Sequence, residues 1–405
     1  MLQSLRQLHW SIYALALANG VVMTGFMMLL PLLPQYSQQL GFNEFDIGLL
    51  VAAFFVGRVL FQFPMGVLSD RIGRRGIMSA SLLIFTVSTA AFALTTTVWL
   101  MMFLRMMQGV AASSLAVGSQ SYINDRTPTG FRGLANGITS SAINIGVIVG
   151  PILAGVLSQG FSIQTPFWVG SAMGGMCFVL SLAIPAKSGP RESGAQAAAV
   201  GASLFRKVIS SVFCLPSFSL SLIQFLSMMS IAIFLTSAPI LTSELLQWSS
   251  SEIALAFAAG GAAAAISSPF LGQLSDRIGR ISVIVLGMAS LTLEALIVFI
   301  HPGTPLTVLA FALGGAGTPA YFNAFYSLIG DVTIPLERGG VTGFVGSFGE
   351  WGSIIGSSII VPFAWRNIGV SAPMAINVAV ALLTLVLALM MRAPLQQQVG
   401  RIARL

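Results

Sequence analysis

The 405-residue chain is short of charge. Only 8% of its residues are Asp, Glu, Lys or Arg, whereas 56% are hydrophobic and the mean hydropathy is +0.90. Soluble domains carry about 25% charged residues, so this composition argues against a soluble enzyme, a disordered chain or a nucleic-acid-binding domain. Histidine and cysteine are scarcer still, at two each. His9 and His301 stand near the ends of apolar runs, and Cys177 and Cys214 lie inside such runs without metal-ligand spacing. Neither a metal site, a cofactor nor a disulfide framework is therefore expected. No phosphate-binding loop of the P-loop form is present, so ATP is not the expected energy source. The net charge of +7 comes from 19 Lys and Arg against 12 Asp and Glu, and the placement of those residues points to a bilayer as partner, with no nucleic acid.

Long apolar sequence is what the chain has in quantity. A membrane-spanning helix needs about 20 mostly apolar residues, and twelve segments meet that length: 10–34, 45–67, 76–95, 98–121, 134–158, 165–185, 213–240, 251–271, 281–300, 304–330, 340–362 and 371–391. Barrel strands alternate over about ten residues, which these uniform runs do not, so the expected fold class is an all-α membrane protein with twelve transmembrane helices. Lys and Arg collect in alternate loops, from Arg71, Arg74 and Arg75 through Arg126, Arg132, Lys187, Arg206 and Arg277 to Arg338 and Arg392. The opposite loops hold Glu44, Asp46, Glu244 and Glu252. By the positive-inside rule both termini are expected in the cytoplasm and the protein in the cell (inner) membrane. The first segment reads as an uncleaved span rather than a signal peptide.

Residues 186–210, rich in Gly, Ser and Ala with four basic residues, break the apolar pattern as a cytoplasmic linker. They separate a six-span bundle at 1–185 from another at 211–405. The halves repeat one another. GVLSDRIGRR at Gly66–Arg75 returns 206 positions later as GQLSDRIGRI, and the same offset carries Asp125, Arg132, Gly133, Gly146 and Gly150 onto Asp331, Arg338, Gly339, Gly352 and Gly356. Parallel halves of this kind support a midplane site and a rocking cycle.

Three motifs carry a resemblance over essentially the whole chain. The decapeptide Gly66–Arg75, the span 4 sequence Arg105-Met-Met-Gln-Gly109 and the span 5 sequence Gly146–Gly155 resemble those of the major facilitator superfamily, the last being associated with its drug:proton antiporters. The resemblance implies two six-helix bundles, a proton-coupled exporter of amphipathic drugs or metabolites working by alternating access, no enzymatic activity and a monomer. It also implies gating roles for Gly66, Asp70, Arg71, Gly73, Arg74 and Arg75, mirrored by Asp276 and Arg277. Asp70 ends its span where the positive end of a helix dipole would favour a carboxylate by about 0.3–1 kcal/mol, so the loop reads as a state-dependent latch, or as a basic loop that only sets topology. In span 5, Gly146, Gly150 and Ala154 give one smooth face, Pro151 favours a kink, and Gly155 closes the motif. Span 8, with its Gly260–Ala265 run, is the expected partner across a tight seam, although ordinary small-residue packing would look the same.

Ionisable residues at membrane depth are functional candidates, and there are four. Arg58 lies about 12 Å and Glu350 about 16 Å from their basic ends at 1.5 Å per residue, so the two are expected to pair or compete, with Glu350 the leading proton carrier because arginine effectively never deprotonates. A static ion pair is the plainer alternative. Arg105, by the resemblance, assists proton exchange electrostatically, and a structural bond to neighbouring carbonyls is as reasonable. Glu294, in a span expected to be peripheral, is the weakest proton-coupling candidate. Span 1 offers Asn19 and Thr24 but no acid, which speaks against a preference for strongly cationic solutes. The expected substrate-binding lining is Asn19, Phe26, Phe54, Gln62, Gln224, Phe234, Asn323, Tyr326 and Trp351, apolar with few polar anchors, as suits amphipathic small molecules. A proton-coupled importer of a small metabolite and a non-transporting membrane sensor are the competing readings.

Overall fold

The computed structural model describes residues 9–127, 132–185, 215–300, 303–332 and 338–392. They form helices throughout, with no strand among the described residues: α1 (Trp10–Met27), α2 (Leu33–Leu40), α3 (Glu44–Ile72), α4 (Arg74–Leu94), α5 (Val98–Arg126), α6 (Arg132–Gly160), α7 (Thr165–Leu182), α8 (Leu215–Leu245), α9 (Ser250–Ile278), α10 (Arg280–Ile300), α11 (Thr304–Val332), α12 (Arg338–Ile355), α13 (Val361–Ile368) and α14 (Ala372–Met390). Helices satisfy every backbone group internally, which lipid demands. Ten described stretches are long and apolar enough to cross a membrane, and α3 and α11, of 29 residues each, complete the twelve crossings.

The described residues divide into two compact units, bounded at Met1–Ala197 with Ser249–Ala258 and at Ala198–Trp248 with Ala259–Leu405. The 206-residue repeat survives in three dimensions. The bounds of α3, α4 and α5 return to the residue in α9, α10 and α11. Asn43 caps α3 by accepting from the amides of Phe45 and Asp46 while Asp46 Oδ2 accepts from the Asn43 amide. At the equivalent start of α9, Glu252 Oε2 accepts from the Ser249 amide at 2.8 Å. Both are reciprocal caps that occupy orphan amide donors. Gly73 and Gly279 each adopt a φ of 92°, breaking one helix and starting the next at the following arginine; a side chain would strain that backbone. Arg280 then bonds Asp331 at the end of α11, Nε to Oδ2 3.3 Å, and Ser275 Oγ at 3.2 Å. In the first unit Arg75 donates to the carbonyl of Leu182 at the end of α7.

Small residues set how close the helices approach, because lipid supplies no hydrophobic drive between them. A Cβ built on Gly109 of α5 would lie 2.0 Å from the carbonyl oxygen of Phe54 in α3, and one on Gly315 of α11 would lie 2.0 Å from that of Gly260 in α9. These two contacts are 206 residues apart at both ends. On α6, Gly146 and Gly150 press on Gly20 and Thr24 of α1, just as Gly352 and Gly356 press on Phe225 and Met229 of α8. The smooth face of span 5 therefore meets span 1, not span 8 as expected. Only Gly155 touches α9, lying against Ser251 and Ala254, and its carbonyl accepts from Ser251 Oγ at 3.2 Å. The face runs along α1 because Gly20 and Thr24, one turn apart, leave bare backbone opposite the two glycines.

Span 11 runs further than its apolar run, to Ile368. Pro362 cannot donate to a helix, and a five-residue π turn at Gly356–Ile360, with the Val361 amide bonded to the Gly356 carbonyl, carries the chain past it. Gly109→Ala and Gly315→Ala are each expected to cost about 1–3 kcal/mol by overpacking, seen as a lower thermal unfolding midpoint in detergent. Gly175→Ala is expected to be neutral in the same measurement, because its Cβ would meet only Thr86 Cγ2 at 3.6 Å.

Candidate functional site

In the first unit α1, α3, α4 and α5 converge on Arg105. The contact of Gly109 with Phe54 draws α5 onto α3 one turn away, and Arg105 is buried outright, at 0% exposure. Its guanidinium carbon stands 5.3 Å from the ring centres of both Phe26 and Phe54, and those rings stack on each other at 4.3 Å. That is within cation–π range, a contribution of about 0.5–2 kcal/mol. Nη1 donates to Gln108 Oε1 at 2.8 Å, and Gln108 Nε2 donates to Thr89 Oγ1 at 3.1 Å. Tyr36, buried against Phe42, Phe92 and Phe167, is close enough to interact electrostatically with Arg105. The other edge of the guanidinium, Nε and Nη2, is buried and bonded to no described residue.

The second unit buries an acid beside the corresponding place. Glu294 of α10 is 6% exposed, and a Cβ on Gly314 of α11 would fall 1.8 Å from its Oε2. Gly314 is the repeat's counterpart of Gln108, Glu294 that of Ser88, and Phe311, packed edge-on to Phe234 at 5.1 Å, that of Arg105. Losing the Gln108 side chain at position 314 opens the space that the carboxylate fills. The span expected to be peripheral thus turns its one acid inward. Glu350 of α12 is also buried, at 7% exposure, one residue from Gly349, which lies against Gln224 and Met228 of α8.

The remaining candidates scatter. Asn19 is buried and donates to the carbonyl of Leu15 at 2.8 Å and to Ser119 Oγ at 3.0 Å, tying α1 to α5. Gln224 Oε1 accepts from Tyr321 at 2.6 Å inside the second unit. Asn323 is exposed and donates to Ser268 at 3.1 Å, while Tyr326 and Trp351 are exposed and Gln62 and Arg58 half-buried. Of the loop residues, Gly73 turns the chain, Arg74 is half-buried and Arg277 exposed. Gly66 and the side chains of Asp70, Arg71 and Asp276 lie outside the described residues, as does His301. Pro151 sits within an unbroken α6. Sequence reading passed over Thr89, Tyr36 and Gly314. Laying the second half on the first would have found Gly314, the glycine that stands where Gln108 does in the first half.

The sequence profile of the Major Facilitator Superfamily matches residues 15–221 and 220–402. The quinolone resistance protein NorA of Staphylococcus aureus (strain MRSA252) is 27% identical over 402 residues, covering 96% of this chain and 98% of that protein. An uncharacterized MFS-type transporter of Methanocaldococcus jannaschii is 27% identical over 175 residues, 43% of this chain and 45% of that one. Among solved structures, a bacterial homologue of the human lysosomal transporter Spinster, inward-facing and unoccupied, superposes with a TM-score of 0.73 at 15% identity, over 98% of this chain and 97% of that one. The nucleoside transporter NupG superposes with a TM-score of 0.73 at 16% identity, over 94% and 99%.

Gln108→Leu removes the one side-chain acceptor that Arg105 has among the described residues and is expected to cost about 1.5–3 kcal/mol, as for a hydrogen bond to a charged group. Thr89→Val, which only frees the Gln108 amide, is expected to cost about 1 kcal/mol. Thermal unfolding of the purified protein in detergent checks both.

Proposed function

Because the chain belongs to the Major Facilitator Superfamily, and is a multi-pass membrane protein, we propose that it is a proton-coupled exporter of amphipathic small molecules working by alternating access. The observation that carries this reading is the pair of buried carboxylates, Glu350 and Glu294, set in one unit while the other buries Arg105. Ionisable groups at membrane depth mark ion and proton pathways. A carboxylate can take up and release a proton, whereas the arginines Arg58 and Arg105 stay charged and supply a fixed field. Glu350 is the leading carrier and Glu294 a second. The phenylalanines of the Arg105 cluster offer an apolar, aromatic wall suited to varied amphipaths. Export is favoured over import by NorA, a relative named for quinolone resistance that aligns over almost the full chain.

The loops at Gly66–Arg75 and Asp276–Arg277 act in this cycle as latches, Asp70 and Asp276 favouring helix N-termini when the basic side closes. That side is the cytoplasmic one, the protein working as a monomer in the cell membrane with both termini inside. The close contacts of Gly146, Gly150 and Gly155 keep the helix sealed against its neighbours through the cycle, with Pro151 as the place where it flexes.

Protein reconstituted in liposomes under an imposed pH gradient tests the reading. Adding a transported amphipath is expected to drive proton movement opposite to the solute, and Glu350→Gln is expected to abolish it. Solute movement indifferent to the gradient would overturn the coupling. Full gradient-driven transport by Glu350→Gln would remove Glu350 from its role and pass it to Glu294, for which Glu294→Gln is the matching variant.

A further inference from the structure

The free edge of Arg105 has a shape. Nη1, on one side of the planar guanidinium, is taken by Gln108 at 2.8 Å, and Gln108 is itself held by Thr89 at 3.1 Å. Nε and Nη2 share the other side, where their N–H bonds run parallel, and neither is bonded to a described residue although both atoms are buried. Two parallel donors on one edge form the fork that accepts both oxygens of a single carboxylate. No carboxylate of the first bundle is placed to fill it. Residues 9–185 contain four acids, Glu44, Asp46, Asp70 and Asp125, all at the ends of their helices. Asp125 stands twenty residues along α5 from Arg105, about 30 Å at 1.5 Å per residue. A buried cation ordinarily finds a paired anion, and this one has two aromatic rings and one amide. The stacked Phe26 and Phe54 present apolar surface close by, each ring centre 5.3 Å from the guanidinium carbon.

We infer that the Nε/Nη2 edge of Arg105, beside the Phe26–Phe54 pair, is the anchor for the carboxylate group of an amphipathic aromatic substrate, so that the transported class is acidic rather than cationic. The inference deepens the exporter reading and rests on it. Gln108 and Thr89 are positioning residues: they hold the guanidinium by its far edge and leave the fork turned outward. In the state described both donors are sealed, and the carboxylate reaches them when Phe26 or Phe54 swings aside. The absence of any acid in the first membrane-spanning segment fits the same assignment, since a membrane-depth carboxylate there would compete with substrate for the fork.

The test compares naphthalene-1-carboxylate with naphthalene-1-carboxamide, which has the same shape without the charge, binding to the purified full-length protein in detergent by calorimetry. The acid is expected to bind at least about tenfold more tightly, the worth of a charge-assisted bidentate pair over a neutral contact. Arg105→Lys keeps the charge but has no fork, and Gln108→Glu leaves Arg105 in place while giving it an internal carboxylate. Gln108→Glu is expected to bring acid and amide within about twofold of each other, and Arg105→Lys to cut the acid's preference at least about threefold. The wild-type comparison stands even if a variant fails to fold. No binding of the acid, equal affinities in the wild type, or a preference that survives both variants would overturn the assignment. Proton-driven transport of the same acid and amide in liposomes separates the two levels: movement of both alongside equal acid and amide binding sinks the anchor and spares the exporter, and movement of neither sinks the exporter.

Discussion

At Gly109 the backbone of α5 comes so near the carbonyl of Phe54 that a single methyl group would not fit, and the placing of Arg105 depends on that contact. In a bilayer, apolar side chains gain nothing by leaving lipid for one another, so helices associate through close backbone packing and polar bonds. The glycine contact supplies the first and the chain from Arg105 through Gln108 to Thr89 the second. One turn of helix separates them, so the approach that locks α5 to α3 also carries a charged side chain into the bundle and lays it over Phe26 and Phe54. Moving the helices apart would part the guanidinium from the rings and the amide that offset the cost of its burial.

The duplicated body makes the chemistry of the two halves comparable position by position. Backbone features repeat closely: helix bounds, reciprocal caps at Asn43 and Ser249, the turns at Gly73 and Gly279, and the contacts of Gly109 and Gly315 all recur at one offset. Even the αL position at Gly41 returns at Gln247, whose φ of 54° is the one positive value outside glycine among the described residues. Side chains at the centre do not repeat. Arg105 faces its counterpart in Phe311, Gln108 in Gly314 and Ser88 in Glu294. A common scaffold thus places a cation in one unit and an acid in the other.

Much of this was legible in one dimension, and for identifiable reasons. Span length and the lack of charge dictate helices in lipid, and each of the twelve runs read from hydropathy falls largely on helix, several of the helices extending beyond the run. Gly73 and Gly279 stand out because each lies inside the decapeptide that occurs twice. The partner of the Gly146–Gly150 face was not legible, since a smooth stripe fits any other smooth stripe and only the fold chooses Gly20 and Thr24 over α9. The extension of span 11 past Pro362 was equally hidden, because a π turn has no residue signature as strong as the proline it accommodates. The inward turn of Glu294 was hidden for a similar reason: its span was expected to be peripheral, one acid in an apolar run says nothing of which way it points, and Gly314, against which it packs, lies on the next helix.

Composition and repetition alone determined that this is a helical membrane protein of two related halves with four ionisable groups in its apolar runs, because hydrocarbon admits only helices or closed barrels and the runs are too long and uniform for barrel strands. Tertiary packing decided which edge of Arg105 is filled and which is left open, and which helix the glycines of α6 touch. It also decided that Glu294 turns inward onto bare backbone. Those outcomes rest on distances of a few ångströms between segments far apart in the chain, and no local pattern of residues carries that information.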